Sequence, residues 1–196
     1  MTNVLLIFGV TFVWVNFVGA GRNGDVIYKG GFSEDVWSCE DFQNDVMIAN
    51  LKLEVVPDAK GDDALGLKGV FEINEDIQNG VEMDVKVWKF MEIGKEFMYN
   101  ARGDICSSLD NEEAPWYPLL SEMNITSCPI FKGTYKIDNL TVDLSFAQDI
   151  MCHEFCGEYS VVMAFVQPLD ELTSKQISCY ELQVTIYEET VDDENK

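Results

Sequence analysis

Three stretches of the chain alternate apolar and polar side chains with a period of two residues. They are VEMDVKVW at 81–88, GEYSVVMAFV at 157–166 and YELQVTIY at 180–187. Successive side chains of a strand point to opposite faces, so this period predicts half-buried β-strands. Weaker patterns predict further strands at 26–28, 47–56, 65–73, 96–101, 133–137 and 140–146.

Turn signals separate these segments, among them Asn79-Gly80 and Lys132-Gly133. Eight or nine short strands with regularly spaced turns, and no long helical pattern, predict an all-β fold. We expect a two-sheet antiparallel β-sandwich or β-cup. The segment 107–127 is the exception, because its two prolines exclude it from a central strand.

The first 20 residues, MTNVLLIFGVTFVWVNFVGA, contain no charged side chain and end in Val18-Gly19-Ala20. A short apolar run that ends in small residues is typical of a signal peptide, so we predict cleavage after Ala20. An uncleaved membrane anchor is the alternative. We expect a single domain at 21–187 and a disordered acidic tail at 188–196.

Acidic residues dominate the charge of the chain. The 35 Asp and Glu against 13 Lys and Arg give a net charge of −22 and a pI near 4.1. Nucleic acids bind to basic surfaces, so we expect no nucleic-acid partner. The same charge opposes contact with anionic membranes at neutral pH.

Six cysteines follow the N-terminal segment, at positions 39, 106, 128, 152, 156 and 179. An even number of cysteines behind a signal peptide predicts three disulfides, and the sequence alone leaves fifteen pairings open. Two N-glycosylation sequons begin at Asn124 and Asn139 and agree with a secreted protein.

The stretch CPIFKGTY at 128–135 resembles the Cys-Pro-Phe-Lys-x-Gly-Thr-Tyr motif of the ML lipid-recognition family, in particular of its ganglioside activators. Four other elements are similar to that family in the same order: WSC at 37–39, GDIC at 103–106, GEY at 157–159 and ISC at 177–179. Insect chemosensory members of the family resemble the chain in these blocks. The chain departs from the ganglioside activators in having six cysteines rather than eight and a shorter 106–128 loop.

The resemblance implies two splayed β-sheets that enclose an apolar cavity for acyl chains. It also implies the disulfides Cys39–Cys179 and Cys106–Cys128, which leaves Cys152 and Cys156 as the third pair. The residues expected to line the cavity are Val85, Val87, Tyr159, Val161, Met163, Phe165, Leu182 and Val184. The same residues would form the core of a filled sandwich, and the sequence does not distinguish these alternatives.

The loop at 106–128 contains four large, mostly apolar residues: Trp116, Tyr117, Leu119 and Leu120. One expectation is that they lie at the cavity mouth and contact a bilayer, since Trp and Tyr favour the membrane interface. The other is that they fold back on the core.

No Gly-x-Ser-x-Gly, His-Glu-x-x-His or phosphate-loop motif occurs in the sequence. The one histidine, His153, lies between Cys152 and Cys156, and we expect it to be a loop residue rather than a general base. Secreted cysteines favour disulfides over zinc. We therefore expect no catalytic residue, no metal and no cofactor.

The favoured interpretation is a secreted carrier of lipid or another hydrophobic small molecule, with a lysosomal location as a variant of it. Such a carrier would present its ligand to a glycosidase or a receptor, with transient membrane contact. Its charge falls near the pI, so liposome binding should be tighter near pH ~4.5 than near pH ~7.5. The alternative is a secreted protein-interaction module, a ligand or co-receptor with a filled core.

Overall fold

The structure is a computed structural model and describes residues 25–58, 61, 63–170 and 173–191. The expected signal peptide at 1–20 lies outside the described residues. Nine strands form within them: β1 (Asp25–Phe32), β2 (Trp37–Ser38), β3 (Met47–Pro57), β4 (Asp63–Ile73), β5 (Glu82–Phe90), β6 (Lys95–Asp104), β7 (Gly133–Leu140), β8 (Gly157–Pro168) and β9 (Ser174–Val191). The helical elements are α1 (Tyr117–Glu122) and 3₁₀ turns at Cys106–Ser108, Ser145–Ile150 and His153–Phe155.

The strands form two antiparallel sheets, which confirms the predicted all-β, two-sheet fold. Sheet A has the order β1-β9-β8-β5-β6, and β2 also pairs with β9. Sheet B has the order β3-β4-β7. The three strongest alternating segments become β5, β8 and β9, adjacent strands of sheet A, because each must bury one apolar face.

The core lies between the inner faces of the two sheets. Phe71 of β4 packs against Phe165 of β8 and Tyr180 of β9, with ring centroids 6.2 and 6.1 Å apart. Leu67 and Ile137 of sheet B and Met83 of sheet A are fully buried in the same cluster. Apolar side chains from both sheets therefore meet in one continuous core.

Both disulfides implied by the resemblance are present. Cys39, just after β2, is bonded to Cys179 of β9, with Cα atoms 5.4 Å apart. Cys106 is bonded to Cys128, with Cα atoms 5.8 Å apart, and closes the loop between β6 and β7. Among the described residues, no helix is long and apolar enough to span a membrane.

The expected strand at 140–146 is wrong beyond its first residue, since β7 ends at Leu140. The following segment crosses from sheet B to the outer strand of sheet A. There Val142 and Leu144 pack against Gly30 of β1, where a Cβ atom would lie 2.6 Å from Val142 Cγ1. The apolar alternation that predicted a strand is explained by this contact.

Gln148 fixes the end of this crossing segment through two hydrogen bonds. Its Nε2 donates to the carbonyl of Tyr28, and its Oε1 accepts from the Tyr28 amide. A side chain thus supplies the hydrogen bonds that a neighbouring strand would otherwise make at β1.

The expected disordered tail at 188–196 is wrong for its first four residues. Residues 188–191 belong to β9 and pair with β1, from Tyr28 opposite Glu188 to Asp25 opposite Val191. Backbone pairing with β1 orders these acidic residues, and Lys29 forms an ion pair with Glu189 at 2.6 Å. The remaining tail residues, 192–196, lie outside the described residues.

Candidate functional site

The eight residues expected to line a cavity all lie on the inner face of sheet A. Strand register places Val85 opposite Met163, and Val87 opposite Val161. All eight belong to, or pack against, the same hydrophobic cluster. The period-two pattern therefore located the inner face correctly, although it did not distinguish a cavity from a core.

The exposure of these eight residues differs along the sheet. Five of them are buried: Val85, Tyr159, Phe165, Leu182 and Val184. Val87, Val161 and Met163 are only half-buried, although β5 and β8 are internal strands. Within the described residues, sheet B has three strands against six in sheet A. Solvent therefore reaches the inner face of sheet A over these three residues.

A continuous line of apolar residues connects this accessible region to the edge of sheet A. Register places Tyr99 of β6 opposite Val87, Val87 opposite Val161, and Val161 opposite Leu182. We call these four residues the apolar row. Cross-strand partners share a face of the sheet, so the row runs from the exposed edge strand to the interior.

The hairpin formed by β5 and β6 adds further exposed apolar side chains at this edge. Ile93 at its tip is 96% exposed and Phe97 is 56% exposed. Met91, Met98 and Tyr99 are also exposed. Phe97 packs against Trp88 on one face of the sheet, whereas Tyr99 lies opposite Val87 on the other. Exposed apolar side chains gathered at one edge are typical of binding sites. The sequence does not reveal this surface, because it does not show which strand lies at the edge of a sheet.

The 106–128 loop folds back on the core, which was the second of the two expectations. Trp116, Leu119 and Leu120 are buried, and only Tyr117 of the four expected membrane-contact residues is half-buried. The Trp116 indole Nε1 donates to Ser108 Oγ at 2.9 Å. Assigning the three buried side chains to membrane contact is therefore wrong, because their apolar surface already packs against the core.

A separate cleft of about 680 Å³ lies between β3 and the β2–β9 side of the sandwich. Its lining mixes apolar side chains, such as Phe42 and Ile48, with Asp41, Gln43 and Asn44. None of the eight expected cavity residues lines it. An acyl chain is better matched by the apolar row than by this partly polar cleft.

Directly beside the apolar row, Tyr159 pairs with Lys89. The Lys89 ammonium lies 5.7 Å from the centre of the Tyr159 ring. Burial raises the pKa of Tyr159, and its hydroxyl donates to the carbonyl of Phe155 at 2.6 Å. Polar groups therefore border the apolar row on this side.

The third expected disulfide is wrong in this structure, since Cys152 and Cys156 are free thiols. They flank the 3₁₀ turn at His153–Phe155, and each sulfur interacts with a different residue. A hydrogen bond to the Glu154 carboxylate raises the pKa of Cys152. Burial and the Glu188 carboxylate raise the pKa of Cys156.

The two sequon asparagines differ in accessibility. Asn124 is exposed and has a φ of 55° at the end of α1. Asn139 is half-buried, and its side-chain Oδ1 is buried without a hydrogen bond. Asn124 therefore offers the more accessible glycosylation position.

No known protein family matches this chain, and no curated protein is significantly similar to it. Its function is therefore inferred from its own residues and their geometry.

Proposed function

We propose that the protein is a secreted lipid-binding or lipid-transfer protein whose ligand lies against the apolar row. The observation that carries this proposal is the incomplete covering of the inner face. Val87 and Val161 are half-buried on internal strands and connect to the exposed edge residue Tyr99. An acyl chain laid along the row would cover apolar surface that sheet B leaves accessible.

The hydrophobic effect supplies the binding energy in this proposal, and no covalent chemistry is needed. Each buried methylene contributes about 0.8 kcal/mol, so a long acyl chain gains on the order of 10 kcal/mol before ordering costs. The half-buried aliphatic side chains Val87, Val161 and Met163 provide a matching apolar surface. The headgroup would remain at the β6 edge, in contact with water.

Several features support placing the chain near the ML lipid-recognition family. The disulfides Cys39–Cys179 and Cys106–Cys128 join the cysteines that the sequence resemblance pairs. The sheets form an open sandwich, with the motif-bearing segment 128–135 leading into β7. These disulfides are also compatible with a secreted or lysosomal location.

Membrane contact, if the carrier loads from a bilayer, is assigned here to the hairpin of β5 and β6. Ile93 and Phe97 are exposed there, whereas Trp116 and Leu120 are buried. From this position the hairpin would transfer lipid to the apolar row beside it. A glycosidase or a receptor would then take the lipid from the same edge.

A second function, a protein-interaction module, is favoured by one observation. Strand β6 is an edge strand of sheet A, and its residues 95–100 are exposed on both faces. An exposed edge can accept a strand from a partner protein through backbone hydrogen bonds. Such a partner would leave the inner face without a ligand.

Binding of a pyrene-labelled phospholipid to Val161→Phe and Val162→Phe tests the lipid proposal. The two residues are neighbours on β8, and Val161 packs in the inner core whereas Val162 packs in the cluster on the other face. The V161F side chain takes the space of about two methylenes of ligand, so binding should weaken about tenfold. V162F should bind like the wild type.

Urea denaturation shows whether both proteins are folded. If they are, equal binding by V161F and the wild type would contradict a ligand on the apolar row. If V161F does not fold, Val87→Leu provides the same test on the neighbouring strand.

A further inference from the structure

Three potential metal ligands meet where the turn before β8 lies beside β9. His153 lies in the 3₁₀ turn, Cys156 follows this turn, and Glu188 lies on β9. One ligand atom from each, the His153 ring nitrogen, the Cys156 Sγ and a Glu188 carboxylate oxygen, lie within 4.8 Å of one another. The His153 Nδ1 and Glu188 Oε1 are 3.3 Å apart.

We propose that His153, Cys156 and Glu188 form a binding site for Zn²⁺. A tetrahedral zinc ion with its usual bond lengths separates its nitrogen, sulfur and oxygen ligands by about 3.3–3.6 Å. The nitrogen–oxygen distance already has this value. Imidazole, thiolate and carboxylate are the protein groups that zinc binds, and a mixed set of this kind suits it better than calcium or magnesium.

The surroundings hold these ligands in place. The backbone amide of Cys156 donates to the carbonyl of His153 at 2.9 Å, which fixes the two residues on one turn. The Tyr28 hydroxyl donates to Glu188 Oε1 at 3.3 Å and orients the carboxylate from β1. Hydrogen bonds to a ligating carboxylate are a usual feature of metal sites.

Solvent can supply the fourth ligand of the metal. The His153 side chain is 80% exposed, and Cys156 is half-buried. Cys152 lies outside the three-ligand cluster. Because His153 and Cys156 lie at the turn before β8 and Glu188 lies on β9, the ion would fasten this turn to β9, and this role does not depend on lipid binding.

Zinc titration by calorimetry of the protein secreted from eukaryotic cells tests the site, with two matched pairs of variants. Cys156→Ser and Glu188→Gln each remove a ligand, whereas Cys152→Ser and Glu189→Gln change the same residue types beside the site. We expect one Zn²⁺ per chain for the wild type, C152S and E189Q. Affinity should fall at least ~10-fold in C156S and E188Q.

Cobalt substitution and thermal unfolding provide independent readouts. Co²⁺ should give a thiolate charge-transfer band in the wild type and C152S that is lost in C156S. Zinc should raise the Tm of the wild type and C152S, because it binds only the folded chain. It should leave the Tm of C156S unchanged.

Two outcomes would overturn the zinc site. One is a Cys152–Cys156 disulfide in peptide maps of the secreted protein, since this would consume the ligand thiol. The other is equal zinc affinity of C152S and C156S, which would place the binding elsewhere. Neither outcome changes the comparison of phospholipid binding between V161F and the wild type. The zinc site and the lipid-binding proposal can therefore fail separately.

Discussion

The phenol oxygen of Tyr180 joins the two sheets at one point. Tyr180 lies on β9 of sheet A, and its hydroxyl donates to the carbonyl of Met47 on β3 at 2.7 Å. The same oxygen accepts a hydrogen bond from the amide of Ala49 at 2.8 Å. Its ring packs edge-on against Phe71. The alternating pattern of β9 predicted an inward side chain here, but only the fold brings β3 within reach.

Replacing Tyr180 with Phe should destabilise the protein by about 2 kcal/mol, because two backbone groups of β3 lose their partner. Urea denaturation measures this loss. Tyr187→Phe is the control, since Tyr187 is 46% exposed, and it should change stability by less than about 0.5 kcal/mol. Equal stability of the two variants would show that Tyr180 does not connect the sheets.

Glu181 makes stability depend on pH. Burial raises its pKa, but hydrogen bonds from Ser160 and Lys95 outweigh burial, so the pKa lies below the ordinary value of 4.5. Glu181 Oε1 accepts from Ser160 Oγ at 2.6 Å and lies 2.9 Å from Lys95 Nζ. A lowered pKa contributes stability above the ordinary pKa, and this contribution is lost as pH falls through the folded value.

Stability of the wild type should therefore decrease below about pH 4.5 more steeply than that of Glu181→Gln. The side chain is partly exposed, so the difference should stay within about 1 kcal/mol. Thermal unfolding between about pH 3 and pH 7 measures it. Parallel pH profiles of the two proteins would rule out this role for Glu181.

At the scale of elements, the 106–128 loop packs against the core, whereas the hairpin of β5 and β6 presents exposed apolar side chains. Both contain large apolar residues, but composition does not reveal whether a segment can reach the core. The buried side chains of Trp116, Leu119 and Leu120 hold the loop against it. The Glu122 carboxylate also accepts hydrogen bonds from the amides of Asp138 and Asn139 on β7. The hairpin extends from the edge of sheet A, and among the described residues no strand pairs with the outer side of β6.

Replacing both Ile93 and Phe97 with Ser should weaken binding to phospholipid vesicles by about tenfold or more, because each side chain contributes apolar area. Vesicle co-sedimentation measures the binding. Ile150→Ser is the control, since Ile150 is 75% exposed but lies on the crossing segment. Phe97 also packs edge-on against Trp88, so the stability of the double variant is measured alongside by urea denaturation. Unchanged vesicle binding by the double variant would exclude the hairpin as the contact surface.

For the molecule as a whole, sequence periodicity identified the fold class and the inner face of sheet A. It could not predict how completely sheet B covers that face, because this depends on the number of strands in each sheet. The half-buried state of Val161 and Met163 follows from that difference. The free thiols of Cys152 and Cys156 could not be predicted from the number of cysteines, because an even number is taken to mean that all of them pair.

The net charge of −22 gives a prediction for the whole molecule. Binding to vesicles of an anionic phospholipid should be tighter near pH ~4.5 than near pH ~7.5, because the charge falls as the pH approaches the pI. Vesicles of a neutral phospholipid should show a weaker pH dependence. Equal binding to anionic vesicles at both pH values would show that charge repulsion does not control vesicle binding.

The most direct test of lipid binding is native mass spectrometry of the protein secreted from eukaryotic cells, followed by organic extraction. Lipid bound at the apolar row predicts discrete added masses that disappear on extraction and are recovered as lipids in the organic phase. A mass equal to that of the protein with its glycans alone, unchanged after incubation with mixed lipids, would contradict a carrier function and favour a protein partner at β6.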